Sequence, residues 1–592
     1  MIDLARWTCA LFALTLCVVP LQANHYFQNI GPWTGRLELP SVEDRQEDGS
    51  VIFHVTNAPD TSLIGKTLRL RWDREAPRQE WYEQVRVDMN IGGKLYETAI
   101  KQQRYVPMRL QGWSRVSSLE SMAGAHPEDD VEVELKNPRL FRDELFVTCE
   151  PTLIVGHKRA LVQFCGPPRG SEREVVHYNP QSGLFDGPLE TVNMPDEFDL
   201  DPDTPFPWFT GKGIESEPLN EWGFYVYGEP GNNGQFNVRA LEPRALFLLT
   251  PDHGVLGKRG IKHYVKKGHF ANMVQGLFRR TTMGAEGSME GYSSIDEYAA
   301  ARWPVGKKAL LLHVFGGRKT KDESWTPGKK IGMWTGHFSF GIAEVVKCSF
   351  TGEARFDIEY RQVYCHNKQK IICGTHKWHS YMGTLIRGWL FQTVVSDSIV
   401  HIPELMEDYT VAGQHYSPLE GLLREFEKMA SLYRTGAGTG VCLVRSDISC
   451  VQDSHCALYS ALKHFEAMRK EKSIKRWMKE NSGTEDVQRF KRLIKTTKRV
   501  MSKITFFGFA NGDWRKFVKD PLGSRHPNCS TILQYVKGLQ NAKTLIPRRG
   551  HDNLLRLGAD LGYDMWSILT AACVGDIPGL EPTPPTSLLI KN

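Results

Sequence analysis

Apolar and polar positions alternate at short range in the first part of the chain and at helical spacing towards the end. Between residue 24 and about residue 190, runs that alternate or are rich in β-branched residues lie between turn formers. They are Ser50–Thr56, Thr67–Trp72, Val85–Asn90, Val131–Leu135 and Ala160–Cys165. Successive side chains of a strand point to opposite faces, so such runs predict half-buried strands. Residues 208–300 are mixed, with strands expected at Phe224–Tyr227 and Ala245–Thr250 and a short helix at His269–Leu277. Then the β pattern strengthens. Ala309–Phe315 is an apolar run, and Gly336–Val346 and Ala354–Tyr364 flank Phe350-Thr351-Gly352-Glu353, which reads as a hairpin. From residue 416 the period changes. Ser417-Pro418-Leu419-Glu420 is a capping box with proline at the first helical position, and Leu422, Leu423, Phe426 and Met429 follow on one side. Thr435–Gly440 ends that helix, and Val441–Val444 is a short strand. A second helix starts near Cys450, with Ala457, Leu458, Ala461, Leu462 and Phe465 at helical spacing. Two basic helices are expected at Glu471–Glu480 and Glu485–Lys503.

Together these elements predict an α+β fold. A β-rich module spans 24–194, and a larger α+β domain spans 208–470. A helical C-terminal part, 471–592, packs on that domain. Between the first two lies the acidic, proline-rich stretch 195–207, whose composition favours an extended linker. Its Asp spacing lacks the mid-loop Gly and closing Glu of a calcium loop. With 592 residues and 41% hydrophobic residues, the chain has ample apolar material for cores. A net charge of +6 at this length does not call for nucleic acid as a partner.

The first 23 residues read as a secretory signal. Arg6 precedes the apolar run Trp7–Leu21, and Leu21-Gln22-Ala23 is a small-residue cleavage site that leaves Asn24 at the new end. The run is short for a membrane-spanning helix; an uncleaved anchor is the alternative. Export to the secretory pathway or beyond permits disulfides. Cys149 with Cys165 and Cys365 with Cys373 are candidate pairs, and Asn528-Cys529-Ser530 is a glycosylation sequon.

The main candidate for chemistry joins Cys450 to His337. Free N–H groups and the positive dipole end at a helix start favour a thiolate, and the same amides bind an oxyanion. Gln452 is a candidate helper there. The thiolate needs an imidazole to take and return a proton. His337, in Trp334-Thr335-Gly336-His337-Phe338-Ser339-Phe340-Gly341, opens the hairpin. With the turn centred near Gly352, pairing brings Tyr364 to His366 closest to it. His366 is therefore a candidate to orient the imidazole, with Glu359 as a second. A cysteine near a helix start of an exported protein is more commonly disulfide-bonded, and Cys442 and Cys456 are the nearby partners for a structural Cys450.

A hairpin histidine followed by a helix-borne cysteine resembles the circularly permuted papain-like hydrolases, over roughly residues 305–470. That resemblance implies a cysteine peptidase or amidase. A longer stretch, from about residue 100 to about residue 590, is similar to an uncharacterised family of cyanobacteria and algae whose members are often labelled Abi or CAAX-type proteases. The similarity rests on Gly112-Trp113-Ser114-Arg115-Val116, Ser118–Asp130, Gly336–Glu344, Phe356–Tyr360, Gly374–Gly383 and Cys450–Ser454. Intramembrane proteases of that label carry their motifs on membrane helices, and no window after the signal approaches membrane length.

Three further features stand apart. His366, His376 and His379, with Cys365 and Cys373, are of metal-ligand type but lack the Glu of a metalloprotease helix. Arg469–Lys503 is a basic, amphipathic stretch of the kind that touches anionic surfaces. His551-Asp552 follows Pro547-Arg548-Arg549-Gly550 at a helix start. The reading is a hydrolase that attacks an amide or ester through a thioester. Cys450 is the nucleophile, His337 the base, His366 or Glu359 the orienter, and no cofactor is required. Its rival is a non-catalytic, exported binding or scaffold protein with structural disulfides.

Overall fold

The computed structural model of the chain describes residues 26–73, 110, 113, 116–125, 131–194, 214–216, 218–265, 291–316, 329–330, 333–334, 336–363, 373–385, 395–434, 450–504, 547–570 and 586–590. Residues 1–23, read above as a signal, residues 195–207, read as a linker, His366, Cys442 and the sequon lie outside the described residues. The fold is α+β, and three layers position the candidate site: a five-stranded barrel, a large mixed sheet and a cover of helices.

The barrel is built from β1 (Lys158–Arg169), β2 (Glu172–His177), β3 (Leu189–Asn193), β4 (Phe224–Pro230) and β5 (Phe236–Pro243). β1, β2 and β3 form an antiparallel meander, β3 meets β5 in parallel at Asn193 and Asn237, and β4 pairs with both β5 and β1 to close the ring. Closure removes the sheet edges that would otherwise need covering. Val162, Phe164, Val175, Val192, Phe224 and Val238, drawn from all five strands, share one buried cluster.

Among the described residues the large sheet has 15 strands. Its centre is β6 (Lys308–Gly316), β7 (Gly336–Lys347), β8 (Ala354–Gln362), β9 (Gly374–Lys377), β10 (Val395–Val400), β11 (Met565–Leu569) and β12 (Thr586–Ile590). They lie in the order β12, β11, β10, β6, β7, β8, β9. β7 and β8 form the expected hairpin, with Lys347 opposite Ala354 and Gly352 at a φ of +73° in its turn. β9 runs parallel to Thr152–Leu153 and so joins this centre to a wing made of Thr34–Glu38, Val51–Asn57, Thr67–Trp72 and Val131–Glu134. The alternation seen in those N-terminal runs buries Leu37, Phe53, Leu70 and Val133 against Leu119 and Met122 of helix α1 (Ser118–Ala125).

Helices cover the opposite face of the centre. They are α2 (Pro418–Arg434), α3 (Cys450–Met468), α4 (Lys472–Glu480), α5 (Glu485–Ile504) and α6 (Pro547–Leu561). Leu312 of β6 and Phe338 and Phe340 of β7 pack with Phe426, Leu458, Leu493 and Leu555 of this layer. The intervening residues, Leu311, Ala343, Ile358 and Tyr360 among them, pack with the barrel cluster. A strand buried on both faces loses its polar alternation, which is why Ala309–Phe315 reads as an apolar run with His313 as its one polar residue. No helix among the described residues is long and apolar enough to cross a membrane.

Three expectations differ from this arrangement. Strands before and after 195–207 share both sheets, because β4 closes the barrel against β1 and β9 pairs with Thr152–Leu153. The last part of the chain is not wholly helical, since β11 and β12 enter the central sheet beside β10. Ala245–Thr250 is not a strand; Arg244–Leu246 is a short 3-10 turn, and Arg244 donates to the Trp222 carbonyl and to Glu353.

Candidate functional site

Alternation along β7 sets the site. Phe338 and Phe340 enter the helix-side core, so His337 and Ser339 belong to the other face, where Tyr360 and Gln362 of β8 also lie. His337 Nε2 is 2.8 Å from Gln362 Oε1, and Gln362 Nε2 donates to Ser339 Oγ at 3.0 Å. The amide nitrogen is thus engaged by serine, and the amide oxygen faces the imidazole. An amide oxygen only accepts, so Nε2 carries the proton and Nδ1 is the basic nitrogen.

Cys450 opens α3, which packs on β7. Beyond Phe340 and Arg361, the last paired residues of the hairpin, the backbone amide of Phe338 hydrogen-bonds the Cys450 sulfur, together with the amides of Val451 and Cys450 itself. The sulfur therefore sits against the residue that follows His337. Its electrostatics run opposite to the expectation for a helix start. Burial pushes the Cys450 thiol up to about 12, and the three amides only partly offset that cost. Burial also pushes up the thiol of Cys456, six residues along the helix. His455, pressed against Phe338 and Phe340, is pushed down to about 3 by burial.

The other expected residues separate. Glu359 is one residue out of phase with Tyr360 and faces away from His337. Its carboxylate contacts Lys136 at 2.6 Å and Lys377 and Arg361 at 3.2 Å. Burial raises it, but Lys377, Lys136 and Arg361 together hold it well below the usual carboxylate range. Gln452 lies on the first turn of α3, and its side chain is outside the described residues, as is His366. His376 Nδ1 meets Ser380 Oγ at 3.3 Å, while His379 stacks on Tyr227 of the barrel at 3.8 Å. Among the described residues no group of three or more His, Cys, Asp or Glu is placed to hold a metal ion. No disulfide joins two of the described cysteines.

One polar chain escaped the sequence reading, and of a second only the His551-Asp552 pair had been noted. On the barrel side, Asp397 of β10 lies directly across from His313 of β6. Asp397 Oδ1 is 2.8 Å from His313 Nδ1, and Asp397 Oδ2 accepts from the Tyr360 hydroxyl at 2.7 Å. The His313 ring is 6.1 Å from His337, and Tyr381 packs at 5.3 Å from His313 and 6.5 Å from His337. On the helix side, Ser398 Oγ is 2.9 Å from His551 Nε2, whose Nδ1 is 3.0 Å from Asp552 Oδ1. That is the order of a Ser-His-Asp triad, but Ser398 is wholly buried in mid-strand, paired on both sides by Leu312 and Ser567. Signals were available for part of this: Gln362 is diagonal to His337 in the predicted hairpin, and His551-Asp552 is visible as a dipeptide. His313 and Asp397 are 84 positions apart, and only strand order brings them together.

No protein-family model, no curated protein and no solved structure matches the chain.

Proposed function

We propose that the chain is a thiol-dependent hydrolase that cleaves an amide or ester through a thioester, with Cys450 as nucleophile and His337 as base. The observation that carries this reading is the Gln362 contact. It fixes the imidazole as the tautomer whose Nδ1 accepts a proton, on the strand whose next amide touches the Cys450 sulfur. The sulfur lies on the helix face of β7 and the imidazole on the barrel face, so in the reaction the sulfur attacks the carbonyl carbon and its proton reaches His337 Nδ1 through an intervening water. That proton then goes to the leaving amine or alkoxide. Water attacks the thioester, His337 takes the water proton, and the acid leaves as the sulfur is reprotonated. Because burial keeps the resting thiol neutral, proton transfer accompanies attack rather than preceding it. The backbone amides around the sulfur are suited to the developing oxyanion. Export through the signal at residues 1–23 belongs to the same proposal, and the N-terminus of the secreted product tests it, with Asn24 expected first.

The second reading, an exported binding or scaffold protein, is favoured by the burial of Cys450, which is 4% exposed. Turnover of a panel of chromogenic esters and peptide amides separates the two. Cys450→Ser should abolish hydrolysis, and His337→Ala should lower it by about 10²- to 10⁴-fold, the range for a lost general base. Equal rates in the wild type and Cys450→Ser would remove Cys450 from the chemistry. A folded wild type that turns over no substrate and forms no adduct with acyl electrophiles at Cys450 would leave the binding reading.

A further inference from the structure

Helices α4 and α5 concentrate the positive charge of the molecule. They carry eleven Lys and Arg against three acids, a net +8 in a chain whose total is +6, so the rest of the protein is net negative by two. The helices are amphipathic. Ile474 of α4 and Val487, Phe490, Leu493 and Val500 of α5 are buried, which turns the basic positions outward. Lys472, Lys475, Arg476, Lys479, Lys491, Lys495, Lys498 and Arg499 are all exposed. Arg489 pairs with Glu407 at 3.0 Å and Arg492 with Glu485 at 2.5 Å; the eight exposed cations form no ion pair among the described residues. On α5, Lys491, Lys495, Lys498 and Arg499 follow the i, i+4, i+7, i+8 spacing of one helix face.

Such a face is soluble without a partner, so the chemistry of its surroundings decides what it fits. None of the exposed large hydrophobics of the described chain lies on α4 or α5. Trp477 of α4 is half-buried against Phe490, so among the described residues the face has no exposed aromatic platform for stacking single-stranded bases and no exposed apolar wedge for entering lipid tails. What it offers is a run of exposed cations on two successive helices, which matches a plane of negative charge. We propose that the α4–α5 face is an electrostatic docking surface for an anionic phospholipid bilayer. Binding is peripheral, with the helices lying on the headgroups. Contacts of this kind fall off within a Debye length, about 10 Å at 0.1 M salt. The proposal stands on charge and burial alone and is independent of the hydrolase reading.

Co-sedimentation of the mature chain with vesicles tests it. Binding is expected to phosphatidylcholine vesicles containing about 30% phosphatidylserine at about 25 mM salt, and its loss at about 300 mM. Vesicles of phosphatidylcholine alone should not bind. Each cation near such a surface contributes about fivefold in partitioning, so Lys491→Glu/Lys495→Glu/Lys498→Glu should lower it more than 100-fold. Reversal of three exposed cations elsewhere, Lys66→Glu/Arg142→Glu/Lys347→Glu, should leave it within about threefold, and circular dichroism confirms that both variants fold. Equal binding to neutral vesicles, or equal loss in the two triple variants, overturns the proposal. Tighter binding to a short duplex DNA than to anionic vesicles would also overturn it and reassign the face to nucleic acid.

Discussion

His455 gives the most direct check on the packing around the candidate site. Its ring lies 5.1 Å from Phe338 and 5.8 Å from Phe340, and both ring nitrogens lack a hydrogen-bond partner. A Cβ at Gly550 of α6 would fall 2.8 Å from its Cε1, so the helix opposite leaves no room for solvation. An imidazolium there has no counter-charge, and burial lowers its pKa from 6.5 to about 3. For a base depressed on folding, the unfolded chain binds the proton more tightly. The stabilising contribution is therefore complete above pH 6.5 and is lost as the pH falls from 6.5 towards 3. Linkage gives a loss of about 2 kcal/mol between pH 7 and pH 5 from this one group. His455→Leu removes the titration, and at pH 7 it also removes two unsatisfied nitrogens, each costing about 1 kcal/mol or more. The assay is urea unfolding followed by tryptophan fluorescence at the two pH values. Stability of the wild type should fall by about 2 kcal/mol more than that of His455→Leu. An equal fall in the two proteins would mean that the imidazole is solvated or paired, and that α3 and α6 do not seal it against β7.

Three further outcomes follow from the same structure. Arg434, 1% exposed, joins Glu150, the Cys373 carbonyl at 2.7 Å and Ser121 Oγ at 3.1 Å; Arg434→Met should cost about 3–5 kcal/mol in urea unfolding by stranding a buried carboxylate. Gly383→Ala places a Cβ 2.0 Å from the Leu241 carbonyl, and a loss of about 1–3 kcal/mol is expected in the same measurement, where an unchanged midpoint would argue against the tight approach of β5 to that turn. Cys348 should alkylate faster than Cys165 at neutral pH when followed by peptide mass spectrometry. Burial alone would raise Cys348, but hydrogen bonds from Tyr225, at 3.0 Å, and from Thr351 and Phe350 outweigh it and lower the thiol, whereas burial raises Cys165 although it is the more exposed.

Much of the local structure was legible from the order of residues. Period-two runs at Val51–Asn57, Thr67–Trp72 and Val131–Glu134 became strands because each has one face to bury. The hairpin of β7 and β8 was visible because a positive φ at Gly352 and alternation on both sides agree. The helices from Pro418 to Ile504 follow the 3.6-residue period, and the basic residues between the buried positions of α5 had only the outer face left to occupy. Of the candidate site, the placement of His337 on a hairpin strand and Cys450 at a helix start came from the same local rules.

What remained belongs to contacts between distant segments. The polar partner of His337 is Gln362, diagonal to it, because the pairing of β7 with β8 ends at Phe340 and Arg361 before His337 is reached. Glu359 was excluded by a single residue of phase, since a one-residue step along a strand moves a side chain to the opposite face. The direction of the Cys450 shift depended on how much water α3 excludes, which no helix-start rule supplies. His313 meets Asp397, and β4 closes the barrel on β1, only because particular strands are neighbours in a sheet. The sequence by itself therefore determined which segments are strands or helices and which face of each seeks burial, because those depend on neighbours a few residues away. Tertiary structure alone decided strand order, the partners of the buried polar groups and the direction in which burial shifts the thiol, because these depend on which distant surfaces exclude water from one another.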